Sequence, residues 1–164
     1  MATPSRTRTI RWTDPIALAE AGKAMSGLDF LNAILRGDLP PPPIAETLGY
    51  GISEVAEGRV VFTLVPGEHL YNPIGVVHGG VAATLLDTVM ACAIHTRLPK
   101  GDGYTTIELH VNFTRGVTSQ VPRLEAIGEV VHVGGRVATA EGRLVDAAGK
   151  IYAHATTTCL LLRA

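Results

Sequence analysis

Hydrophobic and polar residues alternate between positions 106 and 113. Ile107, Leu109, Val111 and Phe113 fall on one side and Thr106, Glu108, His110 and Asn112 on the other, which predicts a half-buried β-strand. YGISEVAEGRVVFTLVP, at residues 50–66, reads as two β-rich runs joined by a tight turn at Glu57-Gly58. PRLEAIGEVVHVGGRVATAEGRLVDAAGKIYAHATTTCLLL holds three further strands, broken at Gly134-Gly135 and at DAAGK. Residues 81–98 are different, because they are apolar almost without interruption. They predict one long helix opening on His78-Gly79-Gly80, and about 18 residues would span roughly 27 Å. Consecutive strands with short connections mean an antiparallel sheet, which must curl around a single helix of that length. The fold class is therefore α+β, a curled antiparallel β-sheet wrapped around one long central helix.

The first 43 residues have another texture. PIALAEAGKAM predicts a short helix, and SGLDFLNAILRGDL a better one, with Leu28, Leu31, Ile34 and Leu35 at helical spacing. Gly37 and the run Pro40–Pro43 end it. The prolines suit a stiff connector better than a ligand for a proline-binding module. Residues 1–43 are thus an N-terminal extension of short helices and a Pro-rich connector that covers the domain or its pocket, and residues 44–164 are the domain itself.

Composition narrows the classes. The chain has 164 residues, 46% apolar and only 18% charged, which is more apolar surface than a solvated monomer needs and points to a subunit interface. A net charge of −1 with no Lys/Arg cluster offers no field for nucleic acid. The apolar run 81–98 is interrupted by Asp87, His95 and Arg97, so it does not read as a membrane span. The N-terminus has no apolar signal core, and Cys92 and Cys159 stand alone in separate apolar segments. The expectation is a soluble cytoplasmic protein with reduced thiols.

Chemistry concentrates around the helix. Gly79 and Gly80 leave backbone N–H groups approachable at a helix start, where the dipole favours an anion or an oxygen becoming one, although such glycines also serve close packing. Asp87 lies seven residues after Gly80, on the same face but about 10 Å further along. A lone carboxylate in an apolar run is either bonded to a neighbour such as Thr84 or Thr88, or put to use. It lies too far along to act on a carbonyl held at its own helix start, but antiparallel helices in a two-fold dimer would place it opposite the partner's glycine turn. An ionised aspartate activates water well but protonates leaving groups poorly, so a thiolate leaving group suits it and thioester hydrolysis fits. Metal binding is not expected: His69, His78, His95, His110, His132 and His154 form no close-spaced ligand pair with a carboxylate.

HLYNPIGVVHGGVAATLLD followed by TTIELHVNF resembles hotdog-fold thioesterases of the PaaI (phenylacetate-pathway) type over about residues 44–163. That resemblance implies a hotdog fold, a dimer with a shared sheet usually doubled into a tetramer, and acyl-CoA hydrolysis with no cofactor beyond the coenzyme A of the substrate. It implies that Asp87 is the nucleophile or general base and that the Gly79 N–H polarises the thioester carbonyl. Asn72 and His78 would line the same site, and Thr106 would hold the water. Gly80 and, for the phosphates of coenzyme A, Arg115, Arg123 and Arg136 are candidates, Arg136 being favoured because it follows a flexible Gly134-Gly135. Met90, Leu109 and Phe113 are expected to set pocket depth. A hotdog hydratase or dehydratase with His78 beside the acid, and a non-catalytic acyl-CoA-binding module, are the alternatives.

Overall fold

The computed structural model describes residues 6–164. Three short helices come first: α1 (Pro15–Lys23), α2 (Gly27–Arg36) and α3 (Pro43–Leu48). Strands β1 (Tyr50–Ala56) and β2 (Arg59–Leu64) precede the long helix α4 (Gly79–His95), and β3 (Gly103–Phe113), β4 (Leu124–Val133), β5 (Val137–Asp146) and β6 (Ile151–Leu162) follow it. All six strands form one antiparallel sheet in the order β1-β2-β4-β5-β6-β3, and α4 lies across its concave face.

The expected elements are present, with the hairpin turn at Glu57-Gly58 and sheet breaks at Gly134-Gly135 and the Asp146–Lys150 turn. One short helix was not expected, because the proline run does not simply connect. Pro42 is extended, and Pro43 then starts α3 at a position where a proline's missing N–H costs nothing. The extension packs onto the domain: Leu31 of α2 belongs to the same buried cluster as Leu85, Leu86 and Val89 of α4, and so does Ala45 of α3, just beyond the extension.

Two facing glycines decide how closely α4 sits on the sheet. Gly128 of β4 pairs with Gly142 of β5. A Cβ on Gly128 would come within 2.5 Å of the Val89 carbonyl oxygen, and one on Gly142 within 2.9 Å of Met90 Cγ. Leu85, Leu86, Val89 and Met90 are accordingly fully buried.

The alternation in β3 is broken. A bulge between Thr106 and Glu108 inserts Ile107, which is 57% exposed. Because the extra residue shifts the pleat by one, Thr106 faces α4 together with Leu109 and Val111 rather than opposite them. The clean alternation through Ile107 is thereby corrected.

Gly128→Ala should lose about 1–3 kcal/mol of stability, since the Cβ would meet backbone rather than a yielding side chain. Gly135→Ala, which meets nothing within 4 Å, should change stability by less than about 0.5 kcal/mol. Urea unfolding of both variants measures the difference, and equal midpoints would contradict the close approach.

Candidate active site

The segment before α4 is fastened at several points. Asn72 Oδ1 accepts from the N–H groups of Ile74 (3.1 Å) and Val76 (3.3 Å), and the Asn72 carbonyl accepts from Gly75, forming an Asn-Pro-Ile-Gly turn. The Val77 N–H donates to Val117 and the His78 N–H to Leu70. Tyr71 and Ser119 bond each other through the Tyr71 hydroxyl. This leaves Asn72 Nδ2 as the free end of that side chain, with no acceptor among the described residues. Asn72 is therefore equipped to donate to an oxygen.

His78 caps α4. Its Nδ1 accepts from the Gly80 N–H at 2.8 Å, so in the neutral ring the proton sits on Nε2. The Gly80 N–H, a candidate for substrate binding, is consumed by this cap. The Gly79 N–H has no partner among the described residues and remains the donor at the helix start. Asn72, His78, Gly79, Phe113 and Arg115 line one cavity of about 370 Å³.

Asp87 lies elsewhere. It opens into a second cavity of about 680 Å³, with Thr88, Tyr50, Tyr104 and Thr106 around it. The Thr106 hydroxyl donates to Asp87 Oδ1 at 2.8 Å, the contact that the β3 bulge makes possible. Neither helical neighbour satisfies the carboxylate: Thr84 bonds back to the Gly80 carbonyl, and Thr88 shares a bond with the Tyr50 hydroxyl at 3.2 Å. Oδ2 has no partner among the described residues. Within one chain the structure thus brings Asp87 to Thr106, and Asn72 to His78 and Gly79, but it does not bring the two groups together.

The groups around Asp87 are held neutral. Burial pushes the Cys92 thiol up to about 12, and it raises the Cys159 thiol and the Tyr50 and Tyr104 phenols. Burial pushes His95 below its ordinary value, so its imidazole is uncharged at neutral pH. Among the described residues, Asp87 is the one carboxylate on the walls of the larger cavity, which no Arg, Lys or Glu lines. Both cysteines are free thiols.

Several expectations change. Arg115 lines the cavity of Gly79 and has no ion-pair partner among the described residues. Arg123 is instead paired with Glu125. Arg136 lies on the β4–β5 turn outside both cavities, and that turn is tethered rather than flexible, because Arg163 donates to the carbonyls of Gly134 (3.0 Å) and Gly135 (3.3 Å). Met90 lies under the sheet against Gly142 rather than in the pocket, and Ala91 and Cys92 take the place expected for it. Among the described residues no group of three His, Cys, Asp or Glu side chains could hold a metal ion, and no helix is long and apolar enough to cross a membrane.

Comparison with known proteins gives a consistent picture. The Thioesterase superfamily profile matches residues 74–153. A Halobacterium salinarum protein provisionally named an esterase is 34% identical over 139 residues, covering 80% of this chain and 90% of the relative. The 1,4-dihydroxy-2-naphthoyl-CoA hydrolase of Listeria monocytogenes is 24% identical over 108 residues, or 66% of this chain and 86% of that one. A crystal structure of a phenylacetic acid degradation-related protein of Ralstonia eutropha, provisionally named a thioesterase, superposes with a TM-score of 0.71 at 31% identity, covering 79% of this chain and 98% of that chain. The PaaI protein of E. coli shares the fold at a TM-score of 0.70 and 21% identity, over 82% of this chain and 95% of its own.

Thiol chemistry offers a check on the site's electrostatics. With Cys92 near 12, alkylation by iodoacetamide at pH 8 should be on the order of a hundredfold or more slower in the native protein than in urea, since the thiolate is the reacting form. The folded value lies above the ordinary 9.0, so the stability it contributes is complete below pH 9 and is lost as the pH rises towards 12. Tyr50 and Tyr104 act in the same direction. Unfolding midpoints should fall steadily above pH 9, and a flat profile to pH 11 would contradict a neutral, buried surround.

Proposed function

The chain belongs to the hotdog thioesterase superfamily, and from that premise we propose that it hydrolyses an acyl-CoA thioester at sites shared between two subunits. Asp87 and Thr106 come from one subunit and Asn72, His78 and Gly79 from the other. The observation that carries this reading is the division of the machinery between two cavities of one chain, one holding the carboxylate and the other the oxygen-binding donors.

An unpaired edge supports the dimer. β3 is 11 residues long, lies at the end of the sheet and carries Ile107 and Phe113 at 57% and 58% exposure. A long unpaired edge with two large exposed apolar side chains favours a partner strand. Antiparallel pairing of two β3 strands would set each Asp87 against the partner's glycine turn. The dimer is the unit that completes a site, and a tetramer would be two such units joined.

In the proposed reaction Asp87 takes a proton from water, which Thr106 helps to hold, and the hydroxide adds to the thioester carbonyl carbon. The carbonyl oxygen becomes an oxyanion and accepts from the Gly79 N–H and Asn72 Nδ2, each donor supplying typically about 2.7–4 kcal/mol. The tetrahedral intermediate collapses, the C–S bond breaks, and the coenzyme A thiolate leaves, since its conjugate thiol has a pKa near 8.5. The proton held by Asp87 passes to that thiolate, leaving a free acid and coenzyme A. That Arg115 lines the cavity of the donors supports a role for it in meeting a coenzyme A phosphate. The hydratase alternative needs His78 as a base, but its Nδ1 is occupied by the helix cap and Nε2 carries the proton. A binding module would gain nothing from an ionised carboxylate in an otherwise neutral cavity.

Asp87→Asn should lower kcat towards a panel of acyl-CoAs by about 10²–10⁴, as expected for removal of a general base, measured as thiol release. Mixed dimers of Asp87→Asn and Asn72→Ala chains supply the sharper test. Each mixed dimer regains one intact site, so activity should return on mixing two nearly inactive proteins. No recovery in verified heterodimers would show that the site is not shared.

A further inference from the structure

Given that reading of the site, we infer that the acyl group is a neutral, extended apolar chain whose length is gauged by α2 of the N-terminal extension and the end of α4. The larger cavity follows two adjacent rows of α4. Asp87, Ala91 and His95 are spaced i, i+4, i+8, and Thr88 and Cys92 lie beside them; all five line the cavity. From Asp87 to His95 the helix rises about 12 Å, so a chain leaving the reacting carbonyl has a straight track along the helix surface.

The far end of that track is closed by three rings. The Phe30 and His95 centroids are 5.7 Å apart and those of His95 and Tyr104 5.2 Å apart, and all three residues line the cavity. Phe30 is held from behind by Gly22 of α1, where a Cβ would stand 3.3 Å from its ring. The start of α2 is locked to the end of α4: the Gly27 N–H donates to the Leu98 carbonyl at 3.1 Å, and a Cβ on Gly27 would collide with the His95 carbonyl at 1.9 Å. The stop is therefore packed in place rather than a loose flap.

Among the described residues the walls carry no Arg or Lys. Beyond Asp87 the polar side chains are thiol, phenol, hydroxyl and a neutral imidazole, and the remaining walls are apolar, including Leu31 and Ile34. An acyl group ending in a carboxylate would enter with no countercharge and with Asp87 at its back, which is costly in such surroundings. One methylene in an apolar pocket discriminates by about tenfold or more, so the position of the stop should be legible in affinity.

Non-hydrolysable S-alkyl-CoA thioethers of increasing length measure the cavity without requiring turnover. Their affinity for the native dimer should rise with each added methylene and then fall once the chain meets the ring cluster. Ala91→Leu, which fills the track one turn beyond Asp87, should move the optimum to shorter chains, and Phe30→Leu to longer ones. A thioether ending in a carboxylate should bind about tenfold or more weaker than its methyl-ended counterpart of equal length. Optima unmoved in both folded variants, or equal binding of the two end groups, would overturn the inference. Hydrolysis of matched acyl-CoAs is followed in parallel, so shifted binding without thiol release would sink the proposed reaction while leaving the chain gauge standing.

Discussion

The close seating of α4 on the sheet at Gly128 and Gly142 is the constraint on which the site depends. Side chains at these facing positions would lift the helix away from β4 and β5. The hydrogen bond from Thr106 to Asp87 spans from the sheet to the helix and tolerates little such movement at 2.8 Å. The same seating buries Leu85, Leu86, Val89 and Met90 completely, so the apolar contacts that hold the fold and the polar contact that orients the carboxylate come from one placement of one helix. The row Asp87, Ala91 and His95, turned towards the β3 edge of the sheet, is left to line a cavity.

A single residue of irregularity in β3 connects sheet and chemistry. Without the bulge at Ile107, period-two alternation would turn Thr106 away whenever Leu109 and Val111 faced the helix. With it, the strand keeps its core contacts and delivers a hydroxyl to Asp87. Burial then keeps the neighbouring Cys92, Tyr50, Tyr104 and His95 neutral. A lone carboxylate with one oxygen bonded and the other open is suited to taking a proton from water, a task that competing charges nearby would disturb.

The sequence pattern was a good guide wherever periodicity governs local structure. The β1–β2 hairpin, the continuous apolar helix and the last three strands follow from spacing and turn residues, and so does the α+β class. Asp87 stood out as an acid in an apolar run, and Gly79 as a helix start. The bulge was not legible, since nothing in YTTIELHVNF marks Ile107 as the extra residue. Gly128 and Gly142 gave no signal either: a strand glycine states that something approaches closely, but not that the partner is the Val89 backbone or the Met90 side chain. The role of Arg163, the use of the Gly80 N–H by His78 and the pairing of Arg123 with Glu125 are tertiary facts with no local pattern.

On the proposed reading, catalysis and selectivity draw on different parts of this chain. The stretch that matches the superfamily, residues 74–153, contains Asp87, Thr106 and the helix start, with Asn72 just before it. The cavity beyond Asp87 is walled largely from outside that stretch, by Phe30, Leu31 and Ile34 of α2, by the proline segment and by Tyr50 and Ile52 of β1. The Pro-rich connector has a physical part in this arrangement. Pro41 and Pro42 restrict the chain between α2 and α3, and residues of both helices line the same cavity. On that reading, substitutions at Phe30, Leu31 or Ile34 would reshape the cavity, while the bulge, the glycine pair and the helix cap lie on other elements.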